Sequence, residues 1–126
     1  LCIGSKNDED IGIEIGSLNN LGCNESFINL IGKTSLQDAI DILAFTEKVV
    51  TNDSGLMHIA AAVKTPLVAL YGPSSPEYTP PLISKKKILR KTQGYEKVRY
   101  GSNEKGYHQS LLDIKPEEVL DALETL

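Results

Sequence analysis

No stretch of this 126-residue sequence approaches the roughly 20 consecutive apolar residues a helix needs to cross a bilayer, and no signal peptide is expected. The expectation is a soluble, intracellular domain. Positive charge is scarce: 13 Lys and Arg against 17 Asp and Glu leave a net charge of -4 and a pI near 5.1, so the electrostatic footprint of nucleic-acid binding is missing. The one basic run, Lys85-Lys86-Lys87, is too short to reverse this. It reads as a solvated turn, with contact to an anionic lipid surface or acceptor as its functional counterpart. Cys2 lies in an apolar segment and Cys23 in a polar one, without CxxC spacing or a His/Cys cluster, which argues against a disulfide framework and a thiolate metal site. The GxGxxG and GxxxxGK[ST] spacings of dinucleotide and P-loop sites are absent too. No serine has a nucleophile-elbow context, and His108 falls in an irregular stretch with no fixed partner, so a hydrolase triad is not expected. Internal repeats and low-complexity tracts are also lacking.

What is present is enough for one domain over residues 1–126, with 40% hydrophobic residues to build its core. The sequence opens at Leu1, without an initiator Met and already inside an apolar segment, and it reads as a fragment of a longer polypeptide. Residues 1–4 predict a short strand, followed by a polar turn and a helix with Ile11, Ile15 and Leu18 on one face and Leu21-Gly22 at its end. Residues 27–31 predict a second strand. After Gly32-Lys33-Thr34 comes a helix N-capped by Ser35, with Leu36, Ala39, Ile40 and Leu43 inward. A third strand spans 48–51, a third helix ends near Val63-Lys64-Thr65-Pro66, and a fourth strand spans 67–71. Residues 74–81 carry three prolines and predict a loop, and 87–91 a further strand. Residues 92–113 show no clear period, and Pro116, Glu117 and Glu118 open a C-terminal helix with Val119, Leu120, Leu123 and Leu126 inward. Short apolar strands alternating with amphipathic helices indicate an α/β fold, a Rossmann-like parallel sheet with helices on both faces. Ligands of such folds sit beyond the carboxyl ends of the strands.

At one of those ends, Val49-Val50-Thr51-Asn52-Asp53-Ser54-Gly55-Leu56-Met57-His58 passes from strand to helix through polar residues and glycine. Free amides in the helix's first turn suit an anion. Asp53 or Asn52 can cap the helix. Ser54 and His58, four apart, share a face opposite a predicted core stripe of Leu56, Ile59, Ala60 and Val63. Two readings stand side by side: a capped helix whose Gly55 allows close packing on the sheet, or a phosphate site with His58 donating to a phosphate or sugar hydroxyl. Asp8, beside Glu9 and Asp10, suits either a ribose hydroxyl or the dipole of a helix first turn. Gly72-Pro73-Ser74-Ser75-Pro76 makes a stiff turn from which Ser74 or Ser75 could hold a ligand.

Residues 51–62, together with Pro66-Leu67-Val68-Ala69-Leu70-Tyr71-Gly72-Pro73-Ser74-Ser75-Pro76, Thr79-Pro80-Pro81-Leu82 and Gly106-Tyr107-His108-Gln109-Ser110-Leu111-Leu112-Asp113-Ile114, resemble the lipopolysaccharide heptosyltransferases of glycosyltransferase family 9. The resemblance implies the C-terminal, donor-binding half of a GT-B glycosyltransferase, with residues 1–126 as an ADP-heptose-binding domain whose first part and N-terminal acceptor domain lie outside the sequence. On that resemblance Asp53, Ser54 and Gly55 match the motif holding the heptose and diphosphate, and His58 the histidine of the following helix. Asp8 matches an acidic position at the ribose, and Thr34 a loop position beside the adenine. The implied reaction is inverting transfer of L-glycero-D-manno-heptose from ADP-heptose to the first heptose of the lipopolysaccharide inner core, heptosyl-Kdo2-lipid A, with peripheral contact at the inner membrane surface. No cofactor and no bound metal are implied. The catalytic base is implied to lie in the N-terminal half.

Overall fold

In a computed structural model, residues 1–19, 27–94 and 106–126 are described, and they fall into two units, Leu1–Asp41 and Ile42–Leu126. The expectations at Leu21, Gly22 and Cys23, and those for residues 95–105, lie outside the described residues.

In the first unit the two expected strands shrink to one parallel bridge, Cys2 with Asn29. Their hydrogen bonds still follow a parallel ladder: Cys2 N–H donates to Ile28 at 2.9 Å, Leu30 N–H to Cys2 at 2.9 Å and Gly32 N–H to Gly4 at 3.1 Å. A 3-10 turn at Lys6–Asp8 leads into helix α1, Glu9–Asn19. The expected inward face of α1 is corrected, because Ile11, Ile15 and Leu18 are 41%, 40% and 59% exposed. The helix instead turns its glycines to the 27–31 segment: a methyl on Gly12 would come within 2.7 Å of Asn29 and Ile31, and one on Gly16 within 3.3 Å of Phe27. Close backbone approach replaces side-chain interdigitation there.

Helix α2, Leu36–Phe45, opens as expected at Ser35. The Ser35 hydroxyl accepts from Asp38 N–H at 3.2 Å, and the Asp38 carboxylate accepts from the Ser35 N–H at 2.8 Å and hydroxyl at 2.7 Å. This reciprocal cap satisfies amides the helix cannot pair itself. Hydrogen bonds from the Ser35 hydroxyl and N–H hold the Asp38 carboxyl below its ordinary value. Ala39 and Leu43 are buried as expected, whereas Leu36 is exposed.

The second unit contains strands β1, Val49–Asn52, β2, Leu67–Tyr71, and β3, Lys86–Arg90, parallel and in the order β1-β2-β3. Val49 pairs with Leu67, and Leu67 in turn with Lys86. In β2, Leu67, Val68, Ala69 and Tyr71 are all fully buried. Successive strand residues point to opposite faces, so burial of Leu67, Ala69 and Tyr71 on one and of Val68 on the other means that both faces are covered. Helix α3, Gly55–Ala62, connects β1 to β2 and contacts both. Its core stripe differs from expectation: Met57, Ala60 and Ala61 are buried, whereas Leu56, Ile59 and Val63 are only half-buried.

The basic run is not a turn, because Lys86 and Lys87 lie in β3 and the Lys86 ammonium donates to Pro81 O at 2.8 Å. Helix α4, Gln109–Leu112, adds a short element in the stretch expected to be irregular. A methyl on Gly72 would meet Leu111 at 2.9 Å, which explains glycine where α4 approaches the end of β2. Helix α5, Pro116–Glu124, has proline in its first turn as expected and packs on β2 and β3. Its buried residue is Ala122, with Leu120 58% exposed. Lys48 ties β1 to the end of α5 by donating to Leu123 O at 2.7 Å.

The end of α3 carries local strain. Lys64 N–H donates to Ala61 O at 3.2 Å and Thr65 N–H to Ala60 O at 3.0 Å, the Schellman pattern, but the left-handed position is Lys64 at φ 65 rather than glycine. A β-carbon in that conformation costs about 1 kcal/mol, and glycine's larger unfolded-state entropy offsets part of the relief. Lys64→Gly is therefore expected to stabilise the fold by about 0.5 kcal/mol. A urea titration should show a higher midpoint at unchanged slope; a lower midpoint would contradict this.

Candidate functional site

β1 ends at Asn52 and α3 begins at Gly55, with only two residues between them, so the chain turns at the carboxyl edge of the sheet with little slack. The expected cap is corrected here. Ser54, in extended conformation at φ -150 and ψ 171, occupies the N-cap position, and its side chain makes no capping hydrogen bond. Neither Asp53 nor Asn52 caps the helix. The packing reading of Gly55 also fails, because a methyl at Gly55 would meet nothing within 4 Å. Its surroundings are open, and the first-turn amides of α3 carry the partial positive charge of a helix start. His58 on the next turn is exposed. The junction thus offers backbone amides, a hydroxyl and an imidazole on one accessible helix start, donors that suit a diphosphate.

Asp53 is held from another direction. Thr79 Oγ1 donates to Asp53 Oδ2 at 3.0 Å, and the Asp53 N–H donates to Leu70 O at 3.2 Å. Thr79 is itself pinned: its N–H donates to Ser75 O at 3.2 Å, and its carbonyl accepts from the Tyr71 hydroxyl at 2.5 Å. Tyr71 is fully buried at the end of β2, and its hydroxyl also lies 3.5 Å from Met57 Sδ. Ser75, expected as a possible ligand contact, is 2% exposed; its hydroxyl accepts from Glu77 N–H at 3.3 Å and its carbonyl caps the turn. The proline-rich 73–81 loop is therefore a built structure clasped to the β1–α3 junction. Sequence reasoning missed Thr79 and Tyr71 because neither spacing nor residue type separates them from ordinary loop and strand residues.

Asp8 and Thr34 belong to the first unit. Asp8 is occupied locally, its Oδ2 accepting from the Ser5 N–H at 2.9 Å and the Ser5 hydroxyl at 2.6 Å. Thr34 follows the turn at Gly32, whose φ is 72 and whose missing β-carbon leaves space for the Glu9 carboxylate. The Gly32–Gly4 hydrogen bond sets the segments leading to Asp8 and Thr34 side by side at one end of the bridge. The structure thus brings Asp53, Ser54, Gly55 and His58 together on one junction, and Asp8 and Thr34 onto neighbouring segments of the other unit.

His108 is corrected as well. It has a fixed local partner: it N-caps α4, its Nδ1 accepting from Ser110 N–H at 3.3 Å and lying 2.6 Å from the Ser110 hydroxyl. An open groove of about 650 Å³ lies at the opposite, amino edge of the sheet, lined by Ala61, Lys64, Pro66, Leu82 and Lys85 among others. We place the site at the carboxyl edge nonetheless, because a helix start and an anchored carboxylate converge there. Among the described residues no three of His, Cys, Asp and Glu gather to hold a metal ion.

Burial raises the Tyr71 phenol above its ordinary value, and the negative charge of Asp53 adds to the rise. The folded state thus favours the neutral phenol, a contribution fully present below the unfolded value of about 10 and lost as pH rises through the higher folded value. An alkaline absorbance titration should show a tyrosine step above the ordinary phenol value. Asp53→Asn should bring that step earlier. A step that stays put in the variant would separate the phenol from the carboxylate.

Residues 1–108 match the model of glycosyltransferase family 9 (heptosyltransferase). The chain is 55% identical over 124 residues to lipooligosaccharide heptosyltransferase 2 of Haemophilus influenzae, covering 98% of this chain and 36% of that protein. It is 50% identical over 126 residues to lipopolysaccharide heptosyltransferase 2 of Escherichia coli, covering 100% of this chain and 36% of that protein. The solved structure of Escherichia coli ADP-heptose LPS heptosyltransferase II matches with a TM-score of 0.78 at 42% identity, over 98% of this chain and 34% of that one. The chain thus spans about a third of the length of the relatives it matches. The parallel sheet and its helices agree with that structure, and the chain belongs to glycosyltransferase family 9, the heptosyltransferases.

Proposed function

We propose that this chain is the donor-binding part of a heptosyltransferase II, holding ADP-heptose while its L-glycero-D-manno-heptose passes to the first heptose of the lipopolysaccharide inner core. The observation that carries the reading is the open start of α3 beside a fixed carboxylate, within a sequence 50% and 55% identical to enzymes named heptosyltransferase 2. In the reaction, an acceptor hydroxyl oxygen bonds to the anomeric carbon from the face opposite ADP. The bond from that carbon to the diphosphate oxygen breaks, and the hydroxyl proton leaves to a base contributed by the remainder of the protein.

Charge grows on the departing diphosphate. Amides fixed at a helix start stabilise that charge without reorganising, which is where such an arrangement accelerates a reaction. We assign this work to the first turn of α3, with Ser54 and His58 as additional donors. A carboxylate beside a diphosphate is repelled, so Asp53 belongs to the sugar, where it accepts from neutral hydroxyls. Asp8 and Thr34 are assigned to the nucleoside, at ribose and adenine respectively; for Asp8 this means accepting ribose hydroxyls while Ser5 keeps it oriented. No metal enters the proposed chemistry. The acceptor is heptosyl-Kdo2-lipid A, and we assign peripheral contact with the inner membrane surface to Lys85 and Lys87, both exposed.

Calorimetric titration with ADP-heptose, ADP and UDP-sugars tests the donor assignment. ADP-heptose and ADP should bind at least about tenfold more tightly than any UDP-sugar, a difference of roughly 1.4 kcal/mol. Preference for UDP-sugars would overturn the heptosyl reading.

A further inference from the structure

The hydroxyl of Thr79 has one proton and two acceptors within reach, Asp53 Oδ2 at 3.0 Å and Ser75 O at 3.3 Å. An ionised carboxylate is the stronger and here the nearer acceptor, so the proton goes to Asp53. Nothing about the position of that hydroxyl is left to the loop. The residue's N–H is held by Ser75 O and its carbonyl by Tyr71, both buried. Its branched β-carbon restricts the side-chain torsion, and Pro80 and Pro81 stiffen the chain that follows. The effect is to hold one oxygen of Asp53, which narrows the orientations open to the carboxylate and to its second oxygen.

We propose that Thr79 is a positioning residue for donor-sugar recognition, holding the Asp53 carboxylate in the orientation that accepts hydrogen bonds from hydroxyls of the transferred sugar. The inference rests on the reading that the β1–α3 junction binds a nucleotide-sugar. A carboxylate free to rotate loses rotamer freedom when a ligand binds, and one already fixed does not. The benefit falls on the sugar alone, since the diphosphate is held by the amides of α3 and makes no use of Asp53. Thr79 therefore sets the ratio of affinities for ADP-heptose and ADP, and leaves the affinity for ADP itself untouched.

The test is titration calorimetry of the chain and its variants with ADP and with ADP-heptose, alongside thermal unfolding. In Thr79→Val, of equal size but without the hydroxyl, the ratio of ADP-heptose to ADP affinity should fall about tenfold while ADP affinity changes by less than about twofold. Thr79→Ser, which keeps the hydroxyl, should restore the ratio. Thr79→Ala should behave like Thr79→Val, covering the case in which valine disturbs the loop. A lowered melting temperature with an unchanged ratio in Thr79→Val and Thr79→Ala would reduce Thr79 to a structural clip and overturn the inference. If the unsubstituted chain binds neither ligand, or prefers UDP-sugars, the donor reading fails and this inference fails with it.

Discussion

A buried phenol cannot leave its hydroxyl unpaired without a penalty of about 1–3 kcal/mol, and Tyr71 sits fully buried at the end of the central strand. That requirement organises the carboxyl edge of the second unit. The acceptor it finds is the carbonyl of Thr79, eight residues on, so the chain between must double back over the strand end. Three prolines in residues 74–81 make the return stiff, and the buried Ser75 closes it from within. With the Thr79 backbone held there, its hydroxyl comes within 3.0 Å of Asp53 Oδ2 and donates to it. A packing constraint in the strand is thus converted, through two hydrogen bonds, into the placement of a charged group at the edge where ligands of parallel α/β folds bind.

On the proposed reading, the same edge separates two kinds of recognition that would otherwise conflict, because an anionic diphosphate and a carboxylate repel one another. The proposal gives the anion to the amides of α3, while the carboxylate is held from the other side by Thr79. Gly55 leaves the first of these open, because no neighbouring atom lies where its side chain would be. Lys48 and α4 serve the scaffold more remotely: the one holds β1 to the end of α5, and the other packs against the glycine that follows β2.

Much of this was legible in the amino-acid sequence, and the reasons for the failures are physical. Apolar runs such as 67–71 fix β2 because a strand buried on both faces has no alternation to confuse. The cap at Ser35 and Asp38 was readable because its chemistry is local. Faces of helices were harder. In α1 the glycines Gly12 and Gly16, not Ile11 and Ile15, turn to the neighbouring segment, since backbone proximity outweighs the area a side chain offers. The stripe of α3 shifts to Met57, Ala60 and Ala61, the two alanines allowing close approach to the sheet and Met57 filling space beside Tyr71. Asp53, Ser54, Gly55 and His58 stood out as a strand-to-helix junction, but the partner of Asp53 is 26 residues away. No local pattern signals such a contact. The His108 cap was missed because a two-residue bond to Ser110 leaves no periodic trace.

The central claim is that the start of α3, with Asp53 held beside it, is where the nucleotide-sugar binds. Two-dimensional amide NMR of the chain during addition of ADP-heptose tests it most directly. The account predicts that the amide signals of Gly55, Leu56 and Met57 shift in proportion to occupancy, with those of Thr79 following and those of Lys64 and Lys85 at the opposite edge unmoved. Shifts confined to Lys64, Lys85 and their neighbours, with the α3 amides unchanged, would contradict it.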